Sequence, residues 1–240
     1  MKRKQHYKAR YEDKYGIEHA VLDSDGMDLK IVLRGIEFSG SSFDSLAGKI
    51  DRSLFEYEDF KVPCEEGILI NGAFCIEIPL QIIDAKKEMT SMLYIDVKLA
   101  KDEMYPVSMQ LEIAGEYLTS EMKFSTFEDA LIDVQNQLKY GMKIKSCLFC
   151  RLSHYNPVGN QLNGSLHCFR NYKEKAGKIN SKDLLFDLME EDNVFEVQEM
   201  HKCADFDLIE EGGWYYKNVC LLYTSPSPRD LSTSRMPSSA

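Results

Sequence analysis

The stretch KFSTFEDALIDVQNQLKYG, residues 123 to 141, marks a change in the hydrophobic period of the chain. Ser125 and Glu128 have the spacing of a capping box, in which each side chain bonds the backbone N–H of the other residue at the start of a helix. Four apolar residues then recur on one helical face: Phe127, Leu131, Val134 and Leu138. Because Gly141 favours a stop, we predict a helix from about Thr126 to Tyr140 that covers an apolar surface.

The segments before this helix alternate apolar and polar residues, which is the period of a β-strand with one face in water. Residues 29–33, 93–99 and 108–113 show this alternation. The dipeptide Asn71-Gly72 separates two apolar runs and predicts a tight hairpin, because both residues readily adopt positive φ angles. The predicted fold class is α+β: a mostly antiparallel, β-rich body with a covering helix, followed by a loop-rich cysteine module.

These patterns divide the chain into three segments. Residues 1–141 are predicted to form a β-rich domain that ends in the helix, and residues 142–219 a cysteine-bearing module. Residues 220–240 resemble a translated sequencing adaptor, because CLLYTSPSPRD and SRMPSSA match its two ends in one reading frame. A natural Ser/Pro-rich disordered tail would have the same composition but leaves the codons unexplained. We therefore interpret this tail as artefactual and disordered, and the native C-terminus beyond Val219 stays undefined.

The net charge bears on partners and compartment. The chain carries a formal charge of −10, and its last 21 residues hold two arginines and one aspartate, so the remainder is slightly more acidic. An acidic chain repels phosphate backbones, and no apolar run is long enough to span a bilayer, so we expect neither a nucleic-acid partner nor a membrane. We expect a cytoplasmic protein whose cysteines stay reduced. The oligomeric state is not predicted.

Four cysteines follow the predicted helix: Cys147, Cys150, Cys168 and Cys203. The first two have the CxxC spacing, which lets two thiolates approach one tetrahedral zinc ion from a tight turn. The second two complete a shell of four thiolates, although they are not themselves a CxxC pair. In a reducing compartment such a cluster favours a structural zinc site. Reduced core cysteines are the alternative, followed by redox or nucleophilic chemistry.

Three histidines near the sulfurs are competing ligands: His154, His167 and His201. Neighbouring side chains of a strand point to opposite faces, so we do not expect His167 and Cys168 to bind one ion. Arg170 is the basic residue placed beside the thiols, where it binds an anion or pairs with a carboxylate. Two further cysteines, Cys64 and Cys75, lie in or near strands and are interpreted as small buried hydrophobes.

Several motifs of the second half suggest a relative. FEDAL, CxxCxxSxYxPxG, CFR and a late Cys in MHKCADF, in order from Phe127 to Phe206, resemble an uncharacterised bacterial family, a domain of unknown function. The resemblance implies a similar β-rich front and supports the module boundaries and the four cysteines. His154 stands where that pattern has an acidic residue, so the resemblance gives no support to an acidic catalytic role there.

Two classes of function follow. The absence of a phosphate loop, a His-Glu-x-x-His motif or a nucleophile elbow favours a non-catalytic, immunity-like or interaction protein that binds a protein partner and carries a structural zinc ion. The alternative is a metal- or cysteine-dependent enzyme of unknown reaction, with an open metal position or with Cys150 acting beside His154 or His167. No catalytic or further cofactor-binding residue is assigned. A closed shell of four cysteines favours the binding protein.

Overall fold

The computed structural model describes residues 4–49, 61–84, 87–99, 106–121, 124–157, 166–210 and 213–217. The larger sheet contains β1 (Gln5–Asp13), β2 (Gly16–Ser24), β3 (Leu29–Leu33), β4 (Ile36–Gly40), β5 (Ala47–Gly48), β6 (Cys64–Glu65), β7 (Ile68–Leu69), β8 (Gly72–Asp84), β9 (Lys87–Leu99), β10 (Val107–Ile113), β11 (Glu116–Thr119) and β12 (Met142–Lys145). A smaller sheet contains β13 (Ser153–Tyr155), β14 (Leu166–Cys168) and β15 (Phe195–Val197). Residues 218–240, including the adaptor-like tail, lie outside the described residues.

The larger sheet is antiparallel, in the order β11-β10-β9-β8-β1-β2-β3-β4-β5-β7-β6, and β12 pairs with β8. The strands that alternation predicts are present at β3, β9 and β10. In β3, for example, Leu29, Ile31 and Leu33 are buried, while Lys30 and Val32 are exposed. The predicted α+β class with a mostly antiparallel, β-rich body is therefore confirmed.

The predicted hairpin at Asn71-Gly72 is wrong. Asn71 does adopt a positive φ of 52°. However, β7 pairs with β5 and β6, whereas β8 pairs with β9 and β1. A Cβ atom on Gly72 would lie 2.5 Å from the Tyr11 ring, so the glycine admits a β1 side chain against the start of β8. The turn therefore sends the chain to a new neighbour.

The helix α1 (Phe127–Gln137) lies on the predicted segment but ends three residues before the predicted Tyr140, because the backbone is already extended at Leu138. Phe127, Leu131 and Val134 are buried in the larger core, and Leu138 packs against it. The helix contacts β10 and β11 and so covers part of the sheet.

The start of α1 differs from the prediction by one residue. Thr126 is the N-cap, and its Oγ1 accepts a hydrogen bond of 3.1 Å from the backbone N–H of Asp129. The predicted capping box of Ser125 and Glu128 is therefore wrong, because Thr126 and Asp129 form the cap one residue later.

The module joins the body through β12 and through a shared core. The partner of β8 on one side changes along its length: β1 pairs with residues 73–77 and β12 with residues 81–84. Among the described residues no strand pairs with residues 78–80 on that side, which leaves a notch in the sheet. The larger core extends into the module and includes Tyr155, Val197 and Met200.

A second, smaller core lies within the module. It contains Leu152 and Phe169, together with residues around α2 (Lys173–Ala176) and α3 (Lys182–Met189). Residues Lys182–Met189, whose sequence fits either a helix or a strand, form the helix α3. Within the described part of the chain, none of the helices has the length and apolar character needed to cross a membrane.

Candidate functional site

The CxxC pair lies in a short 3-10 turn that follows β12. The turn covers Cys147–Phe149, and the backbone N–H of Cys150 donates to the Cys147 carbonyl at 3.2 Å. The N–H of Cys147 donates to the carbonyl of His201, also at 3.2 Å, and Cys150 forms an isolated β-bridge with Leu208. The late segment of the chain therefore lies directly beside the CxxC turn, although it is more than fifty residues away in sequence.

All four cysteines of the predicted zinc site are buried free thiols. Burial raises the pKa of the Cys147 thiol well above its ordinary value, and the neighbouring sulfurs of Cys168, Cys150 and Cys203 raise it further. Burial likewise raises the pKa of Cys168, which Arg170 lowers and the sulfurs of Cys203 and Cys150 raise. The other three sulfurs therefore lie in the neighbourhood of the Cys147 thiol.

This neighbourhood is not a preformed metal shell. Across the described ranges, no group of three or more His, Cys, Asp or Glu side chains is arranged so that it could hold a metal ion. The other two described cysteines lie apart in the body, Cys64 in β6 and Cys75 in β8. Burial raises their thiol pKa values to about 12 and about 11, respectively.

A buried lysine forms hydrogen bonds with the backbone of the CxxC turn. Lys217 is only 8% exposed, and its ammonium donates to the carbonyls of Leu148 at 2.9 Å and Cys150 at 2.7 Å and to the Ser153 Oγ at 2.9 Å. The Ser153 hydroxyl in turn donates to the Cys147 carbonyl at 2.5 Å. Sequence reasoning did not single out this lysine, because a lone lysine in a mixed segment carries no motif.

His154 is fully buried, and its Nδ1 accepts a hydrogen bond. The Tyr216 backbone N–H donates to its Nδ1 at 3.1 Å, so the proton of the neutral ring lies on Nε2. The ring packs near Phe169, Trp214 and Tyr215, with centroids 5.8 to 6.0 Å apart. Burial, assisted by the Lys217 charge, lowers the pKa of His154 to about 3. A neutral ring whose Nδ1 accepts and whose Nε2 is protonated is a poor metal ligand in this arrangement.

The other two candidate histidines are His167, in β14, and His201, beside the body. In β14, Leu166 and Cys168 are buried while His167 is half-buried, as strand alternation requires. Burial lowers the pKa of His167. His201 lies against Gly26, where φ is 93° and an added Cβ would come within 2.5 Å of the ring Nδ1. The glycine thus permits the close approach of His201 to the body.

A cleft of about 980 Å³ lies where the module meets the notch of the sheet. Its body side is formed by the start of β1, by residues 25–27 and by residues of β8 around Pro79, and its module side by residues 195–205. Cys203 and His201 both line it. The Gln5 amide spans one edge, because its Nε2 donates to the Lys202 carbonyl at 3.5 Å.

Arg170 connects the cysteines to this cleft. Its Nη1 donates to the Cys203 Sγ at 3.8 Å, and its guanidinium lies 5.2 Å from the centre of the Phe195 ring. In the described part of the chain no carboxylate lies within ion-pairing distance of Arg170. Of the two roles that the sequence left open for this arginine, pairing with a carboxylate therefore has no support among those residues.

A buried acid lies between body and module. Glu199 is 2% exposed, and the Tyr155 hydroxyl donates to its Oε1 at 3.0 Å. Burial raises the pKa of Glu199 to about 8, with smaller contributions in the same direction from Glu128 and Asp44. No sequence motif marks this carboxyl, because its environment is made by segments far apart in the chain.

Comparison with known protein families identifies a match for the first part of the chain. A family model described as a family of unknown function (DUF6304) matches residues 5–153, which is more than half of the chain. The match covers every strand of the larger sheet, α1 and the CxxC pair, and ends before Cys168 and Cys203. No curated protein and no solved structure matches the sequence.

Proposed function

The chain belongs to this family of unknown function, and we propose from its own residues that it is a non-catalytic cytoplasmic protein that binds a protein partner, with a module held by one structural zinc ion. The proposed zinc ligands are Cys147, Cys150, Cys168 and Cys203. The negative charge of the chain and its lack of a recognised catalytic motif favour an immunity-like protein, which acts by binding another protein.

The convergence of four buried thiols from three separate segments carries the zinc proposal. The CxxC turn, the end of β14 and the segment after Met200 supply them, and each neighbouring sulfur raises the pKa of the Cys147 thiol. A divalent cation stabilises cysteine side chains that lie close together as thiolates. Zinc binding releases their protons and requires the four side chains to draw together.

A zinc ion at this position would act on the whole module. It would link the start of the module to a residue near its end and so close a long loop, which reduces the entropy of the unfolded chain. Four thiolates leave no open position for water, so the ion would be structural. Because Cys203 and Arg170 line the cleft, the same ion would also fix the cleft wall.

The protein-binding part of the proposal has support from the surface. The molecule carries a net charge of −10, and α3 exposes two large apolar side chains, Leu184 and Phe186. Exposed apolar side chains in an acidic surface suit a partner that offers basic groups and apolar contacts, although these two point to different sides of α3.

Metal content tests the zinc site. We expect about one equivalent of zinc, by mass spectrometry, in protein purified without added metal, because four thiolates bind zinc tightly. Replacement of each ligand in turn, as Cys147→Ser, Cys150→Ser, Cys168→Ser and Cys203→Ser, should abolish it. The matched controls Cys64→Ser and Cys75→Ser should retain zinc. A parent protein that folds stably without metal would show that the four cysteines are core residues.

A cysteine-dependent enzyme is the second candidate, and one observation favours it. Cys203 lines the cleft beside the Arg170 guanidinium, which is where a reactive thiolate would meet a substrate. Alkylation of the native protein by iodoacetamide separates the candidates. A zinc-bound Cys203 should resist labelling until a chelator is added, whereas a nucleophilic Cys203 should be modified rapidly whether or not the chelator is present.

A further inference from the structure

The charged side chains that line the cleft are mostly basic, whereas the molecule as a whole is acidic. The chain has a net charge of −10. Nevertheless the described residues that line the cleft include four basic side chains, Lys4, Lys145, Arg170 and Lys202, and two carboxylates, Asp25 and Asp205. A local excess of positive charge in the concave part of an acidic surface concentrates anions there.

The interactions of the charged side chains in the cleft show which basic group can bind an anion. Lys145 pairs with Glu88 at 2.8 Å, and Asp205 lies 3.8 Å from the ammonium of Lys173. The Asp25 carboxylate accepts hydrogen bonds from the backbone N–H groups of Met27 and Asp28. Arg170, by contrast, forms no ion pair among the described residues; its Nη1 donates to the Cys203 thiol, and its guanidinium lies over the Phe195 ring. Its planar fork of N–H donors is therefore free to bind an oxyanion.

The wall beside Arg170 is apolar. Phe195 lies under the guanidinium, and Val197 and Met200 line the cleft from the buried side. The body contributes Ile78 and Pro79 from the part of β8 that has no strand partner in the notch. The volume of about 980 Å³ lies within the range of small-molecule sites, and the lining combines this apolar wall with many polar and charged side chains.

We infer that this cleft binds a small organic anion, with its oxyanion on Arg170 and its apolar part against Phe195 and Met200. Lys202 and Lys4, both exposed at the rim, attract the anion without fixing its orientation. Phosphate esters and carboxylates share the chemistry that this site recognises. The inference goes beyond the proposed function and needs no metal, because the contacts that form the cleft are present without one.

Calorimetric titration of the full chain tests the site with defined probes: phenyl phosphate, benzoate, inorganic phosphate and uncharged phenol. We expect saturable binding of phenyl phosphate or benzoate, weaker binding of inorganic phosphate and none of phenol. Arg170→Gln should weaken binding about tenfold or more, because it removes a charge-assisted hydrogen bond. The matched control Arg10→Gln, which removes an exposed arginine that pairs with Glu12 outside the cleft, should bind like the parent.

The variants must also be shown to fold. If Arg170→Gln lowers the melting temperature, Lys202→Gln provides a second measurement, because an exposed lysine is replaced without loss of packing and binding should still weaken several-fold. Absence of binding by both organic anions, or equal affinity in the parent and Arg170→Gln, overturns the inference. Zinc content is measured on the same samples. Protein that contains zinc but binds neither anion contradicts this inference alone, and metal-free protein that binds them contradicts only the zinc proposal.

Discussion

The Glu199 carboxyl is a polar group that the interior tolerates in its neutral form. Its pKa rises from an ordinary value of 4.5 to about 8, chiefly because of burial. Between these two pH values the unfolded chain releases a proton that the folded protein retains. The contribution of this carboxyl to stability is therefore full below about pH 4.5 and is lost as the pH rises to about 8.

Substitution of this residue by glutamine removes the ionisation without changing its size. We expect Glu199→Gln to raise the free energy of unfolding by about 2 to 4 kcal/mol near pH 8 and to change it little near pH 4.5, because each unit of pKa shift corresponds to about 1.4 kcal/mol. Urea denaturation at the two pH values measures this. The exposed Glu190→Gln is the matched control and should have little effect at either pH. An equal effect of Glu199→Gln at both pH values would contradict the assigned protonation.

At the scale of the element, local sequence patterns predict which face of a helix or strand is buried better than they predict which element lies beside it. The apolar face of α1 was predictable because it depends on spacing within eleven residues. The cap was not, because Ser125 with Glu128 and Thr126 with Asp129 have the same spacing, and only the structure shows that the second pair forms the cap. Similarly, the positive φ of Asn71 follows from local chemistry, but the strand beside β8 depends on Tyr11, some sixty residues earlier.

The packing of α1 on the sheet is directly testable. We expect Leu131→Asp to unfold the protein, or to lower the free energy of unfolding by more than about 4 kcal/mol, because it places a carboxylate in the larger core. Thermal melting followed by circular dichroism measures the effect. Asn136→Asp adds the same charge to the exposed side of α1 and should melt close to the parent. A Leu131→Asp variant with the melting curve of the parent would show that this face of α1 is not packed.

For the whole molecule, the cysteine module is tied to the β-rich body at several places. β12 extends the sheet along β8, and the core of the body continues into the module through Tyr155 and Met200. The Glu199 environment likewise combines groups from both parts. The sequence places a boundary near residue 142 because the period changes there. It could not reveal the contacts across that boundary, since pairings such as Cys147 N–H with the His201 carbonyl join residues far apart in the chain.

These contacts give an expectation for the separated parts. A fragment of residues 1–141 lacks β12 and all the core side chains that the module supplies, so it would expose a large apolar surface. We expect this fragment to aggregate or to melt without a cooperative transition, and residues 1–219 to unfold in a single transition. Scanning calorimetry of both proteins measures this. The fragment of residues 1–145 is the matched control, because it restores β12 without the core side chains beyond it. If residues 1–141 alone melt cooperatively, the body folds independently, and the division at residue 142 separates two true domains.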